Sequence, residues 1–339
     1  IDLQLIALEV HDPLSGPALD IDNTGLTRDG IVIIDDMRIN LNQSNYAIQL
    51  QDVNAEIHGV DLSGDNRGVF WSAGDAITSY LSSSIISGNG GSCFDIVDHS
   101  ELIVNNLGLA CATGSKPTVD SSFVNFTGSG FIPGSGHENT FPLESSSHVR
   151  WISSSSISAT TNTATDSILD IMWLIEVHAV NQLLRHIPYA EVNLSFSSWE
   201  SDETATLPYH GFKTLGPYVG TRWVPSQGWS VDNTAYLGCD YDGVHNDSSS
   251  ITLNDDLLVY CRLELANQPP FIIWPTPEDE EEFPSGSSVI LDASESWDLD
   301  DDQLTYTWTS SIDGDLHSSC FGTLPSGNNG SYVCLLYTS

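Results

Sequence analysis

The sequence predicts an all-β protein: a parallel β-solenoid followed by two β-sandwich modules. Three observations carry this. An apolar frame recurs at intervals near 23 residues through the first 160 positions. From about Ile171 the pattern changes to strands with period-two alternation. After Asn267-Gln268-Pro269-Pro270, a linker in which proline enforces an extended backbone, a third set of short strands begins. The expected boundaries are 1–165, 171–266 and 267–333.

The frame of the first region is apolar, two residues, small or apolar, one residue, apolar. It reads Leu5-Leu8-Val10, Ile34-Met37-Ile39, Ile57-Val60-Leu62, Leu81-Ser84-Ile86, Val104-Leu107-Leu109 and Val119-Ser122-Val124, with a seventh at Ile152-Ser155-Ile157. The first six middle positions are spaced 29, 23, 24, 23 and 15. Gly/Asn turns such as Ser63-Gly64-Asp65-Asn66 and Ser87-Gly88-Asn89-Gly90 follow, and then second strands such as Gly68–Trp71 and Cys93–Val97. Each strand turns alternate residues inward, so each coil adds one apolar layer, and coils stack at the inter-strand distance of ~4.8 Å. Inward serines such as Ser84 and Ser122 are expected to ladder through their hydroxyls. A leucine-rich repeat would need a regular Asn or Cys after its leucines, which this frame lacks.

On this pattern, residues 1–160 resemble the right-handed parallel β-helix (pectin-lyase-like) family. The resemblance implies a fold shared with polysaccharide lyases and hydrolases. Of the hydrolase elements Asn-Thr-Asp, Asp-Asp, Gly-His-Gly and Arg-x-Lys, only Asp35-Asp36 occurs here. The candidate carboxylates are Asp35, Asp36, Asp61, Asp95 and Asp98, and paired acids arise by chance in a chain with 46 of them. A binding role is therefore expected over catalysis.

In the middle region, Trp173–Val180 and Ile187–Phe196 read as strands, and Gly211 turns the chain into the Phe212–Leu215 strand. The order resembles carboxypeptidase-regulatory-like and related Ig-like sandwiches. Trp223, Trp229, Tyr236, Tyr241 and Tyr260 are either core aromatics, the favoured reading, or rings exposed for stacking on sugars. His178, His186, His210 and His245 match no metal-binding spacing. Asp240-Tyr241-Asp242-Gly243 resembles the start of a calcium loop, with Asp240 and Asp242 as candidate ligands, although Ile251 stands where an EF-hand requires Glu.

Residues 267–333 match the polycystic-kidney-disease-type (PKD) module closely: Asn-x-Pro-Pro, then Val289-Ile290-Leu291-Asp292-Ala293-Ser294, the Asp298/Asp300/Asp302 run and Leu304-Thr305-Tyr306-Thr307-Trp308. The resemblance covers about three quarters of such a module. If the acidic run is extended, alternate residues face one way, so Asp298, Asp300 and Asp302 converge as candidate calcium ligands.

Nine Lys and Arg stand against 46 Asp and Glu, a formal charge of −37. With so few cations to pair with phosphate, nucleic-acid binding and docking on anionic lipid are not expected. No apolar run approaches the ~20 residues of a membrane-spanning helix. The nine tryptophans and 40% hydrophobic content argue for a folded chain with an acidic surface, suited to a saline exterior. Cys93 and Cys111 lie 18 residues apart, about one coil, and Cys239 and Cys261 flank two strands. These two pairs are the expected disulfides, with Cys320 left over, and they suit an oxidising compartment. The sequons at Asn42, Asn125, Asn193, Asn246 and Asn329 agree with it. Residues 334–339, Cys-Leu-Leu-Tyr-Thr-Ser, read as the in-frame translation of a transposase-type sequencing adapter, as in a fragment of environmental origin. The expected function is that of a non-catalytic extracellular or cell-surface protein. Its expected partners are glycans, matrix or other surface proteins, and calcium is its expected cofactor. A polysaccharide lyase or hydrolase, or its accessory region, is the alternative, and a structural spacer is a third.

Overall fold

A computed structural model describes residues 3–337, except 7–8, 12–15, 24–30, 42–45, 65–66, 74–77, 89–91, 113–115, 132–139, 154–157, 161–165, 198, 274–288, 311–313, 318–320 and 325–331. Among the described residues every regular element is a strand. The first region is a parallel β-solenoid. Its first sheet stacks Leu3–Ile6, Ile31–Asp35, Asn54–His58, Ser79–Ser82, Leu102–Asn105, Phe123–Thr127, His148–Ile152 and Ile168–Val180. A second sheet runs from Glu9–His11 to Gly130–Phe131, and a third from Leu19–Asp22 to Ser158–Thr160.

The register explains the repeat. Ile34, Ile57, Leu81, Val104, Phe126 and Trp151 are successive partners in one inward row. All six are buried, within one core that also holds Trp71 and Phe94. Between the first and second sheets the chain turns a corner at Asp36, Gly59, Ser83, Asn106 and Gly128, each with positive φ, and Ser153 has positive φ just after the His148–Ile152 strand. The backbone N–H of each still donates to the next coil, as in Asp36 to His58 O at 3.0 Å and Ser83 to Asn105 O at 3.0 Å. Glycine, asparagine, aspartate and serine at these corners are the residues that tolerate or locally compensate a left-handed turn.

Three expectations need correction. The frame at Val119-Ser122-Val124 spans the other corner, from the third sheet back to the first, which is why its spacing falls to 15. The triplet in register is 126, 129 and 131. Of the seventh frame, Ile152 lies one residue off the inward row held by Trp151, and Ser155 and Ile157 lie outside the described residues. A one-residue slip reverses every side chain of a strand. The inward serines also do not bond one another through their hydroxyls alone. Ser84 Oγ accepts the Val60 N–H of the preceding coil (3.1 Å) and donates to Ser82 O (2.8 Å). Ser129 does the same for Leu107 N–H and Thr127 O. The hydroxyl satisfies a backbone donor that the corner would otherwise leave buried and unpaired.

The 13-residue strand Ile168–Val180 carries the chain out of the solenoid. Its first half pairs in parallel with His148–Ile152, and along its length it pairs antiparallel with Phe212–Val224. Its second half also pairs in parallel with Leu257–Arg262. Trp223, the partner of Leu169, joins the solenoid core. At this junction the buried Asp170 carboxylate takes two hydrogen bonds from Arg222, Nε at 2.5 Å and Nη2 at 2.8 Å, and sits 2.8 Å from His148 Nε2. Burial alone would raise the Asp170 pKa, but the Arg222 and His148 hydrogen bonds outweigh it and hold the pKa below the usual carboxylate value.

A second core lies between the Trp173–Val180 half of this sheet and a four-stranded antiparallel sheet of Glu203–Thr206, Glu191–Phe196, Thr234–Tyr241 and Val244–Thr252. Ile175, Val177, Val192, Leu194, Leu237, Cys239 and Cys261 fill it, and Leu299 of the C-terminal region enters it. Disulfides join Cys93 to Cys111 and Cys239 to Cys261. The C-terminal strands form two smaller sheets, Val289–Asp292 with Phe321–Leu324, and Gly314–His317 with Thr305–Ser310 and Tyr332–Tyr337. Leu335, Leu336 and Tyr337 pair with Thr307, Tyr306 and Thr305. Cys320, Asn42, Asn329 and the acidic stretch Glu278–Glu282 lie outside the described residues.

Candidate functional site

The outer face of the four-stranded sheet carries a groove of about 610 Å³. Alternation places it there. Val192 and Leu194, with Ala235, Leu237 and Cys239, turn into the core, so Asn193 and Ser195, with Tyr236, Gly238 and Asp240, turn outward. Register then assembles rows: Thr204 opposite Asn193 opposite Gly238, Ser195 opposite Tyr236, and Glu191 opposite Asp240 opposite His245. Gly238, itself buried, lines the groove between Tyr236 and Asp240, where the pairing shifts from Leu237 opposite Ser249 to Cys239 opposite Asn246. Tyr236 is 42% exposed.

The polar groups around the groove are held in place. Thr204 Oγ1 donates to Asn193 Oδ1 at 2.7 Å. His245 Nδ1 lies 3.1 Å from Asp240 Oδ2, and Asn246 Nδ2 donates to Arg262 O at 2.9 Å. Glu203 Oε2 accepts from the Tyr218 hydroxyl at 2.7 Å, and Asp202 Oδ1 accepts the Phe196 N–H at 3.0 Å. Fixed acceptors and donors beside an exposed aromatic ring suit a hydroxyl-rich ligand: the ring covers an apolar face while the polar groups meet the hydroxyls.

Asp240 lines this groove, but Asp242 does not share its role. With Asp242 (φ 50°) and Gly243 (φ 77°) both left-handed, residues 241–244 make a two-residue hairpin, the turn that Asp-Gly favours. The Asp298–Asp302 run is likewise a turn rather than an extended segment, so alternation does not bring its carboxylates to one side. Asp298 Oδ1 accepts the N–H groups of Asp300 (2.8 Å) and Asp302 (3.2 Å), and Asp300 Oδ2 accepts that of Gln268 (2.6 Å). Asp298 Oδ2 is buried without a hydrogen-bond partner. Among the described residues no group of three or more His, Cys, Asp or Glu is arranged to hold a metal ion.

The solenoid acids are dispersed. Asp35 ends a strand of the first sheet, Asp61 opens one of the second and Asp95 lies in the third, while Asp36 and Asp98 occupy left-handed corners. Asp95 accepts the Tyr46 hydroxyl, and the Arg67 guanidinium lies 4.6 Å from the centre of that ring. Of the five aromatics of the middle region, Trp223 is buried, Tyr241 half-buried, and Trp229, Tyr236 and Tyr260 are exposed.

Of the groove residues, Thr204 and Gly238 carried no expectation from the sequence, Asn193 only that of a sequon, and His245 only that of a histidine without metal-binding spacing. A signal was present for His245, since the Asp242-Gly243 hairpin sets it opposite Asp240; Asn193, Thr204 and Gly238 meet through other strand pairs, which that hairpin does not fix. The sequence reading also missed that His178, His186 and His210 converge around Phe212, because that meeting joins a strand, a loop and a turn with no fixed spacing. Neither a scan against protein-family models nor a search of curated proteins returns a match for this chain.

Proposed function

We propose that this chain belongs to a non-catalytic extracellular or cell-surface protein that binds glycan in the groove of the four-stranded sheet. The observation that carries the reading is the exposed Tyr236 ring in a groove framed by hydrogen-bonded Asn, Thr, Asp and His side chains. In this reading residues 1–165 are a right-handed, pectin-lyase-like stalk. Residues 171–266 are an Ig-like sandwich sharing a strand with it, and 267–333 are part of a PKD-like module. The two disulfides support an oxidising exterior. Calcium is proposed at the Asp298 turn, where the buried, unpartnered Oδ2 supplies the hard oxygen that the ion prefers. Asp298→Asn should then abolish any rise in melting temperature that millimolar calcium gives over chelator.

The test of the main reading is binding of the whole chain to an oligosaccharide array, followed by calorimetry on the hits. Tyr236→Ala should weaken binding about fivefold or more, in line with the ~1 kcal/mol and upward of a lost aromatic contact. Gly238→Val should block it by filling the groove. Binding that ignores both substitutions refutes the site. Release of new reducing ends or unsaturated uronate by the wild-type chain refutes the non-catalytic reading in favour of a lyase or hydrolase.

A further inference from the structure

Residues 181–189 join the middle and C-terminal regions. Asn181 is fully buried: its Oδ1 accepts the N–H groups of Leu183 and Arg185 at 2.9 Å, and its Nδ2 donates to Leu299 O at 2.6 Å. Gln182 exchanges two hydrogen bonds with the Leu265 backbone, and the Arg262 guanidinium donates to Gln182 O at 2.6 Å. Arg185 pairs with Asp301 at 2.9 Å on the exposed side. The segment therefore grips the 298–301 turn, whose Leu299 side chain is buried in the second core.

The segment is closed by a pair of imidazoles. His186, which bridges back to Val180, has Nε2 at 2.9 Å from His178 Nδ1. The other nitrogen of His178, Nε2, lies 2.7 Å from Glu176 Oε1. A carboxylate accepts only, so His178 carries its proton on Nε2 and presents a lone pair at Nδ1 to the N–H of His186. One added proton fits: His178 becomes a cation between Glu176 and a neutral His186 that accepts through its other tautomer. A second proton does not fit, because two N–H groups would then face each other across 2.9 Å.

We infer that the His178–His186 pair is a proton-operated clasp, closed with up to one added proton and opened by a second, which releases residues 181–189 and their hold on the 298–301 turn. The groups facing the pair are consistent with this. Glu176 faces it from the long strand, Tyr260 from the Leu257–Arg262 strand (ring 5.2 Å from His178) and His210 from the turn before Phe212. Lys213 lies on the Phe212–Val224 strand next to Phe212, and Arg262 and Arg185 are engaged by Gln182 O and Asp301. Phe212 stacks flat on His178, 4.8 Å and 9° apart, and offers no acceptor for a displaced proton. Burial, then His178 and His210, hold the His186 pKa below the ordinary imidazole value, so the second proton arrives below the usual histidine range.

The test is amide hydrogen exchange of the whole chain between pH 7.5 and 4.5, corrected for the intrinsic pH dependence of exchange. Protection across 181–189 should fall at least tenfold on acidification, while the solenoid strand His148–Ile152 keeps its own. His186→Gln, which retains a hydrogen-bonding side chain but does not titrate, should hold protection flat over the same range, and His178→Gln tests the same link from the other side. A wild-type profile that stays flat overturns the clasp. So does loss in parallel with His148–Ile152, or variants that follow the wild-type pH dependence.

Discussion

Replacing Asp170 by Asn tests whether the junction between the solenoid and the second core is held by a buried ion pair. The substitution keeps size and shape and removes one charge. Asp170 is almost fully buried, whereas Arg222 and His148 keep about a quarter of their side chains exposed, 24% and 26%. Breaking a buried pair by removing one partner costs about 3–5 kcal/mol, because the surviving charge is left in a poorly solvated site. Solvent reaches the Arg222 side, so the lower end of the range, about 3 kcal/mol, applies. The assay is urea unfolding followed by tryptophan fluorescence, with Arg222→Gln and the double variant completing a thermodynamic cycle. A coupling energy above about 1 kcal/mol is expected from groups in direct contact. A loss below about 1 kcal/mol for Asp170→Asn, or additive single variants, would refute the claim that this pair secures the shared strand.

Three further outcomes follow from named contacts. Ser84→Ala removes the acceptor of the buried Val60 N–H and should cost about 1–3 kcal/mol in urea unfolding; a cost under about 0.5 kcal/mol would mean the corner is satisfied some other way. His99 is buried beneath Trp71, and burial, offset in part by its hydrogen bond to Trp71 O, pushes its pKa down to about 4. Its unfolded form binds the proton first, so its contribution is complete above the unfolded value near 6.5 and is lost as pH falls toward 4. That loss amounts to about 3 kcal/mol at 1.36 kcal/mol per pH unit. Melts of wild type and His99→Gln should therefore converge on acidification, and parallel curves would count against it. Gly68→Ala places a Cβ 1.9 Å from the carbonyl oxygen of Cys93 at φ 78°, whereas Gly128→Ala, at φ 58°, meets nothing within 4 Å. The second should cost only the roughly 1–2 kcal/mol of left-handed strain and the first clearly more, so equal losses in thermal melts would contradict the packing at Gly68.

The solenoid was legible because its signal is local and repeated. Ile34-Met37-Ile39 and Ile57-Val60-Leu62 are each the end of one strand, a corner and the start of the next, so a fixed spacing records a fixed geometry. The frame misled where a similar local pattern, Val119-Ser122-Val124, marks a different corner of the same coil, and at Ile152, one residue off the inward row. The groove was half legible: alternation along Glu191–Phe196 already turns Asn193 outward, but its place beside Gly238 and Tyr236 is set only when the two strands lie side by side.

By itself, then, the amino-acid order determined the all-β class, the coil period and the alternation that divides core from surface, because each depends on side-chain direction along a few consecutive residues. Only the tertiary structure decided that Ile168–Val180 belongs to two regions at once. It also decided that Asp298 turns its carboxylate onto its own backbone, that the corner serines serve the neighbouring coil and that three histidines meet around Phe212. These depend on register between segments far apart in the chain. A shift of one residue, which leaves composition and period unchanged, reverses which face each side chain occupies.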